Sequence, residues 1–418
     1  MSKELAKEHE VLVFARDNDF SISDYSESEV VDSVRVHRVN NTMQFPHYYE
    51  YDNPTIAKNF EQFLREQKPD VVHIQHLQGL SALLLPLCRE YGIPVVFSLH
   101  DYWLLCRRMS LLRPNLELCS GPAPKKCQQC RFAEIDRYLV PSFLSNMINP
   151  IPDSVFSHLA RQSLQRRLNG DGNMADLLLL NHIARPQYLQ ELMRNVDIFI
   201  APSKFVQALF VKWGVEKERV VLVPHGIDPA PFSNFRKNPS MRIRLGYMGT
   251  VDRHKGVHVL IEAFNAFANR PNMELQIWGA TPSLEYLKFL RRLNRNPNTR
   301  FEGAYSDPSA VLCQLDVLVI PSITYETYSI VARESLMSRT PIIAANIGAL
   351  PEVVVDHQNG LLFEAGNPDD LKTKIKVLVD NPRTISEMAA AIRPVETMQQ
   401  QVSELTSLYQ NLLQRDQQ

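Results

Sequence analysis

The amino-acid sequence predicts an α/β protein made of two doubly wound lobes, and three observations lead there. Short apolar runs of strand length recur along the chain and alternate with helical periodicity, the pattern of parallel sheets assembled from strand-helix-strand units. At 418 residues the chain exceeds one ordinary core, and about 150 residues per domain implies two or three domains. The segment HGIDPAPFSNFRKNPSM, 225–241, is rich in Pro, Asn and Ser, lacks periodicity, and reads as the linker between two groups of strands.

The first group is VLVFA (11–15), VRVHRV (34–39), DVVHIQ (70–75), PVVFSLH (94–100), DIFIAPS (197–203) and VVLVPHG (220–226). The second is IRLGYMG (243–249), LQIWG (275–279), TRFEG (299–303), DVLVIPS (316–322), PIIAANIG (341–348) and GLLFE (360–364). Helices are expected between them, for example over 256–269 and 348–357. The expected division is 1–225 for the first lobe, 226–395 for the second, and an amphipathic C-terminal helix over 396–418. Residues 132–185 break the alternation and read as a proline-containing helical insertion with Arg161, Arg166 and Arg167 near its end. Such an insertion either packs on the first lobe or lies on a membrane surface.

Hydrophobic content of 44% and charged content of 22% are those of a globular chain. No uninterrupted apolar window reaches the about 18 residues needed to cross a bilayer. The beginning, MSKELAKEHEVLVFARD, is charged and has no signal-like apolar core, so a cytoplasmic location is expected. A net charge of -1 excludes a global bias toward nucleic acid or anionic lipid. Locally, Arg107, Arg108, Arg113, Lys125, Lys126 and Arg131 face the single acid Glu117, which fits either a solvated loop or a phospholipid contact.

In an open parallel sheet, ligands bind beyond the carboxyl ends of strands, where helices present free N–H groups. DVLVIPS leads into such a place. Glu326 falls in the outgoing loop and Glu334 inside the following helix, which starts near Tyr328 or Ser329. Placed so differently, the two are not a simple acid/base pair. They suit a long ligand with a hydroxylated group at each end and a diphosphate between, or else they merely complement the helix dipole. In the same lobe, GYMGTVDRHKG runs from a strand through Gly249 to Lys255 and Gly256 at a helix entry. That pattern can clamp a diphosphate.

With these motifs in order, the chain resembles the retaining glycosyltransferases of family 4, whose GT-B fold has two Rossmann-like lobes facing a cleft. The resemblance runs through DVVHIQHLQGLSALLLP, IPVVFSLHDYW, VDIFIAPSKFV, VVLVPHGID, GTVDRHKGVHVLIEAF, ETYSIVARESLMSRTPIIAANIGALPEVV and NGLLFEAGNPDDL. It implies that Glu334 binds the ribose of a nucleotide-diphosphate sugar, Glu326 the transferred sugar, and the backbone of Tyr328, Ser329 and Ile330 the diphosphate. It further implies that Lys255 neutralises the leaving diphosphate, that His100 lines the reaction centre from the acceptor side, and that no catalytic metal is needed. The acceptor would be a glycan or a lipid-linked precursor of cell-surface polysaccharide or lipopolysaccharide.

Two departures from the family pattern stand out. Many members carry arginine where this chain has Thr250, and Arg253 is expected to supply the charge instead. Members also open with a strand and a Gly-rich loop, so the first lobe is expected to lack its first strand and the start to be incomplete. The leading expectation is a retaining sugar transferase; the departures motivate a noncatalytic glycan-binding or assembly subunit as the alternative, beside a same-fold epimerase or phosphorylase.

Cys106, Cys119, Cys127 and Cys130 cluster after HDYW, as in a subset of the family, whereas Cys88 and Cys313 sit in apolar helical contexts. A structural zinc is expected at the cluster, with free thiols or redox activity as alternatives.

Overall fold

The computed structural model describes residues 1–17, 26–40, 53–123 and 185–415, with isolated positions between 124 and 184 that include Lys126, Cys127 and Cys130. The insertion expected over 132–185 lies outside the described residues apart from such single positions, as do Lys125, Arg131, Arg161 and Arg167. The chain forms two compact units. One comprises Met1–Ala201, Phe210–Val221 and Val402–Gln418, the other Pro202–Leu209 and Leu222–Gln401.

In the first unit, β1 (Leu12–Asp17), β2 (Ser26–Val31) and β3 (Val34–Asn40) make one sheet in the order β1-β3-β2. β1 runs parallel to β3, with Leu12 opposite Arg35, and β2 runs antiparallel to it. β2 has no counterpart among the strands expected from sequence. Its residues SESEVV are all exposed, so it has no apolar pattern. Its hairpin turns at Asp32 and Ser33, both left-handed at φ 50° and 68°, the geometry of a two-residue primed turn without the usual glycine.

A second sheet has the order β4-β5-β6-β7, from β4 (Val72–Ile74), β5 (Val95–Ser98), β6 (Ile198–Ala201) and β7 (Val220–Leu222). Thus β1 and β4 are both sheet edges, and among the described residues no strand joins them. All of β1 is only partly buried, whereas β5 is buried throughout. Phe14 of β1 packs its ring against Phe60 and Phe63 of the Pro54–Gln67 helix. That helix is opened by Asn53, whose side chain accepts from the N–H groups of Thr55 and Ile56.

The second unit holds one six-stranded parallel sheet, β10-β9-β8-β11-β12-β13. Its strands are β8 (Ile243–Met248), β9 (Met273–Trp278), β10 (Thr299–Gly303), β11 (Val317–Ile320), β12 (Ile342–Ala345) and β13 (Gly360–Phe363). β11 and β12 are buried at every residue because helices cover both faces, which is why their sequences are apolar without alternation. The chain lays down β8, β9 and β10 in one direction, then crosses back to add β11 beside β8. The β8/β11 boundary is therefore the topological switch point, where a crevice opens beyond the strand ends.

The 225–241 segment packs with this unit. Phe232 and Phe235 lie against its core, and the partly buried Lys237 ammonium donates to the carbonyls of Leu312 and Leu315 and to Thr340 Oγ1. Burial brings that ammonium down to about 8.

Candidate active site

The switch point gathers two loops, one after β8 and one after β11. A Cβ on Gly256, at φ +71°, would stand 1.9 Å from the carbonyl oxygen of Pro321. Only glycine lets the loops approach so closely. Ile323 N–H donates to the His254 carbonyl at 3.1 Å, tying them together. Lys255 is delivered in this way to Glu326, with Nζ 2.8 Å from Oε1.

Glu326 is nearly enclosed, its side chain 12% exposed, and Ser322 Oγ donates to the same oxygen at 2.5 Å. Burial pushes its carboxyl upward, but the Lys255 ammonium and the Ser322 hydroxyl outweigh it, and the group stays below the ordinary glutamate range. Ser322 and Gly348 are two residues the sequence reading did not single out. At Gly348, with φ +59°, a Cβ would clash at 2.6 Å with the backbone N and O of Glu326, and Ala349 N–H donates to the Glu326 carbonyl at 2.8 Å. The strand-end serine of VIPS and the glycine of ANIG were visible, yet nothing local marks them as supports for a glutamate.

Glu334 is held differently. It is the fifth residue of the Ile330–Met337 helix and half-buried. Burial pushes its carboxyl above the ordinary range, and no hydrogen bond or ion pair to its carboxylate occurs among the described residues. Tyr305 is close enough for the Glu334 charge to help raise its phenol to about 12, after burial as the main cause.

Between the two glutamates the chain turns at Ser329, a left-handed non-glycine residue at φ 62°. Ser329 is the N-cap of the helix, and its side chain makes no capping bond. The first-turn N–H groups, beginning with Ile330, therefore lack the side-chain acceptor that usually closes a helix start. Tyr328 is buried, and its hydroxyl donates to the His225 carbonyl at 2.5 Å.

The remaining expected donor residues are spread along the β8 loop. Gly249 takes φ +135°, the Thr250 carbonyl accepts from Tyr247 at 2.6 Å, and the Thr250 side chain is exposed. Arg253 is exposed and lies over the rings of Tyr286 and Phe289, at 5.3 and 5.5 Å from their centroids. Lys255, Glu326 and Ser322 thus meet, whereas Arg253 rests on the Leu284–Leu293 helix.

His100 belongs to the first unit, just beyond β5. Its Nε2 lies 2.8 Å from Gln75 Oε1, an acceptor, so Nε2 carries the proton. Burial lowers its basicity, with Asp101 opposing and His76 adding, so the ring is neutral near pH 7. Next to it, His76 Nε2 lies 3.0 Å from Asp101 Oδ2, and Asp101 Oδ1 accepts the Trp103 N–H at 2.7 Å.

The four clustered cysteines line one cavity of about 50 Å³ together with Leu105 and Lys126. Burial pushes the Cys127 thiol up, with Cys106 and Cys119 adding to the effect. Four sulfurs suit zinc by their chemistry, yet among the described residues no three His, Cys, Asp or Glu side chains converge on one ion position. Cys88 is a core thiol, fully buried and pushed up to about 12.

The β8 and β11 loops thus bring together an ion-paired glutamate, a helix start without a side-chain cap and a second glutamate that has no hydrogen bond or ion pair among the described residues. Family models match accordingly: "Glycosyltransferase Family 4" over residues 1–142 and 173–231, and "Glycosyl transferases group 1" over 232–394. The chain belongs to glycosyltransferase family 4. A D-inositol 3-phosphate glycosyltransferase from Corynebacterium glutamicum is 28% identical over 261 residues, which cover 54% of this chain and 59% of that protein. The chain therefore spans less than two thirds of that relative.

Among solved structures, sucrose-phosphate synthase from Thermosynechococcus elongatus superposes with a TM-score of 0.65 at 15% identity, covering 99% of this chain and 92% of its own. The Anabaena protein HepE in complex with UDP-glucose gives 0.59 at 17% identity, covering 90% and 87%. At such identities these likenesses establish the GT-B fold.

Proposed function

We propose that the protein transfers a sugar from a nucleotide-diphosphate sugar to a glycan or lipid-linked acceptor with retention of anomeric configuration. The observation that carries this reading is the contrast between the two glutamates. Glu326 is ion-paired and fixed at the end of β11, whereas Glu334 is half-buried and without a polar partner among the described residues, on the far side of an uncapped helix start. A half-buried carboxylate lacking partners is costly unless a ligand supplies hydroxyl donors, and a ribose diol has them. The helix start suits the diphosphate.

In this reading Lys255 keeps Glu326 ionised beside the transferred sugar and meets the charge that builds on the departing diphosphate. His100, neutral with its proton on Nε2, lines the acceptor side. Gly249, Thr250 and Arg253 complete the donor loop.

An acceptor at the cytoplasmic face of a membrane, such as a lipid-linked or lipopolysaccharide precursor, is the finer part of the proposal. The basic residues Arg107, Arg108 and Arg113 after β5 are the feature that supports it. Structural zinc at Cys106, Cys119, Cys127 and Cys130 would brace the same loop. The sequence clustering of four cysteines, with two residues between Cys127 and Cys130, is what favours it, and metal analysis after anaerobic purification tests it.

The deciding experiment follows nucleoside-diphosphate release from a panel of nucleotide sugars, with and without acceptors. Release that requires acceptor supports transfer. Donor binding without turnover on a broad acceptor panel would instead identify a glycan-binding subunit, and acceptor-independent conversion an epimerase or phosphorylase. Glu334→Ala should mainly weaken donor binding, by about tenfold or more. Glu326→Ala should mainly slow transfer, and unchanged kinetics in both would overturn the site assignment.

A further inference from the structure

We propose that Arg333 is a positioning residue of the donor site. It holds the left-handed Ser329 turn from beneath, so that the N-terminus of the Ile330–Met337 helix faces the diphosphate, and it adds positive charge there. This rests on the nucleotide-sugar reading and adds to it a residue from the buried side of the helix.

Arg333 is only 8% exposed. A buried guanidinium is ordinarily matched by a carboxylate, because an uncompensated buried charge is costly. Here no ion pair to it occurs among the described residues. Its guanidinium lies over the Tyr328 ring, 3.3 Å from the centroid, and Nη1 reaches the Ser329 carbonyl at 3.4 Å. Among the described residues the carboxylate whose field reaches it is Glu352, but Glu352 caps another helix by accepting the N–H groups of Lys204 and Phe205 at 2.9 and 2.6 Å.

The supporting groups are themselves fixed. The Tyr328 hydroxyl donates to the His225 carbonyl, and the His225 ring meets the Tyr328 ring edge-on at 5.0 Å. Arg333 thus clamps the two residues, Tyr328 and Ser329, that open the helix. The left-handed Ser329 backbone is strained for a non-glycine residue, and strain of this kind persists only where surrounding contacts impose it.

Charge gives the same direction. A cation near a helix N-terminus opposes the helix dipole. Uncapped N–H groups and a buried guanidinium therefore raise the potential together, and among the described residues the guanidinium has no direct ion pair to offset it. A diphosphate would, whereas a neutral nucleoside would not.

The test compares the parent protein with Arg333→Leu and Arg333→Lys. Calorimetry measures affinity for inorganic pyrophosphate, UDP, ADP, GDP and the matching nucleosides, and thermal unfolding is followed without ligand. Arg333→Leu should weaken pyrophosphate and the preferred nucleoside diphosphate by about tenfold or more, leave the nucleoside within about twofold, and raise the donor KM more than it lowers kcat. Arg333→Lys should restore part of the loss. Equal loss for nucleoside and diphosphate would mean a general structural role and overturn the proposal, as would undiminished diphosphate binding in a folded Arg333→Leu. Should Arg333→Leu fail to fold, the same comparison in Arg333→Lys decides, and undiminished diphosphate selectivity there overturns it. A parent protein that binds no diphosphate would defeat the nucleotide-sugar reading itself, a result separate from neutral Arg333 variants in a parent that binds.

Discussion

Glu334 and Glu326 are the same residue type in one loop-helix segment, and their surroundings give them opposite tendencies. Burial pushes Glu334 up without compensation, while Lys255 and Ser322 hold Glu326 down. Hydroxyl donors bind the ionised carboxylate, so donor affinity should be constant well above the raised Glu334 range and fall as pH drops through it. Without donor the sign reverses: ionised Glu334 costs stability, so the unliganded protein loses that contribution as pH rises from the ordinary glutamate range through the raised one. Donor titrations at several pH values should show the first effect, and Glu334→Gln should flatten it. At Gly348 the expected effect is steric. Gly348→Ala places a methyl 2.6 Å from the Glu326 backbone at a left-handed φ, which should cost about 1–3 kcal/mol. Denaturant midpoints would read that loss, and single-turnover assays a slower transfer step.

At the scale of elements, what positions the site is the pairing of β8 with β11. Arg244 at the start of β8 and Asp316 just before β11 form a two-pronged ion pair, with Nη2 to Oδ1 at 2.8 Å and Nε to Oδ2 at 3.1 Å. The Arg244 N–H also donates to Oδ2 at 2.9 Å. The arginine side chain is 7% exposed. Arg244→Met leaves Asp316 without its cation and should destabilise the protein by about 3–5 kcal/mol, measurable in urea, whereas replacing both partners with apolar residues should recover much of it. Strands such as β5, β11 and β12 were legible in the sequence because burial at every residue leaves continuous apolar runs. β2 was not, since an exposed hairpin strand with the sequence SESEVV carries no hydrophobic signal. The helix expected over 348–357 shortens to Leu350–Val353, because the chain then turns through Asn359, whose side chain bonds Val353 and Val355.

Across the whole molecule the two units differ in how their sheets are completed. The second has one six-stranded sheet with a continuous core, and the first has two smaller sheets whose edges β1 and β4 are bonded on one side only. Amides in partly buried edge strands open more readily than those in fully paired, buried ones. Hydrogen exchange followed by mass spectrometry should therefore find β1 and β4 exchanging well before β8, β11 and β12. Uniform protection across both units would refute that expectation. The same experiment with donor bound should slow exchange most in the loops after β8 and β11.

The sequence by itself determined the class of fold and the family, and it pointed to the residues proposed for the donor site. Each of these is written in local terms: apolar periodicity, glycines at tight loops, and the spacing of Glu326, Glu334 and Lys255. It could not say how those residues are supported. That Glu326 is ion-paired to Lys255 and Glu334 is not, that Arg253 rests on Tyr286 and Phe289, and that Gly348 presses on Glu326 all depend on contacts between distant parts of the chain. In sequence, Arg333 is one more charge within the Ile330–Met337 helix. Only the tertiary structure buries it beneath Tyr328, because burial is a property of what the helix packs against, and no local pattern encodes that.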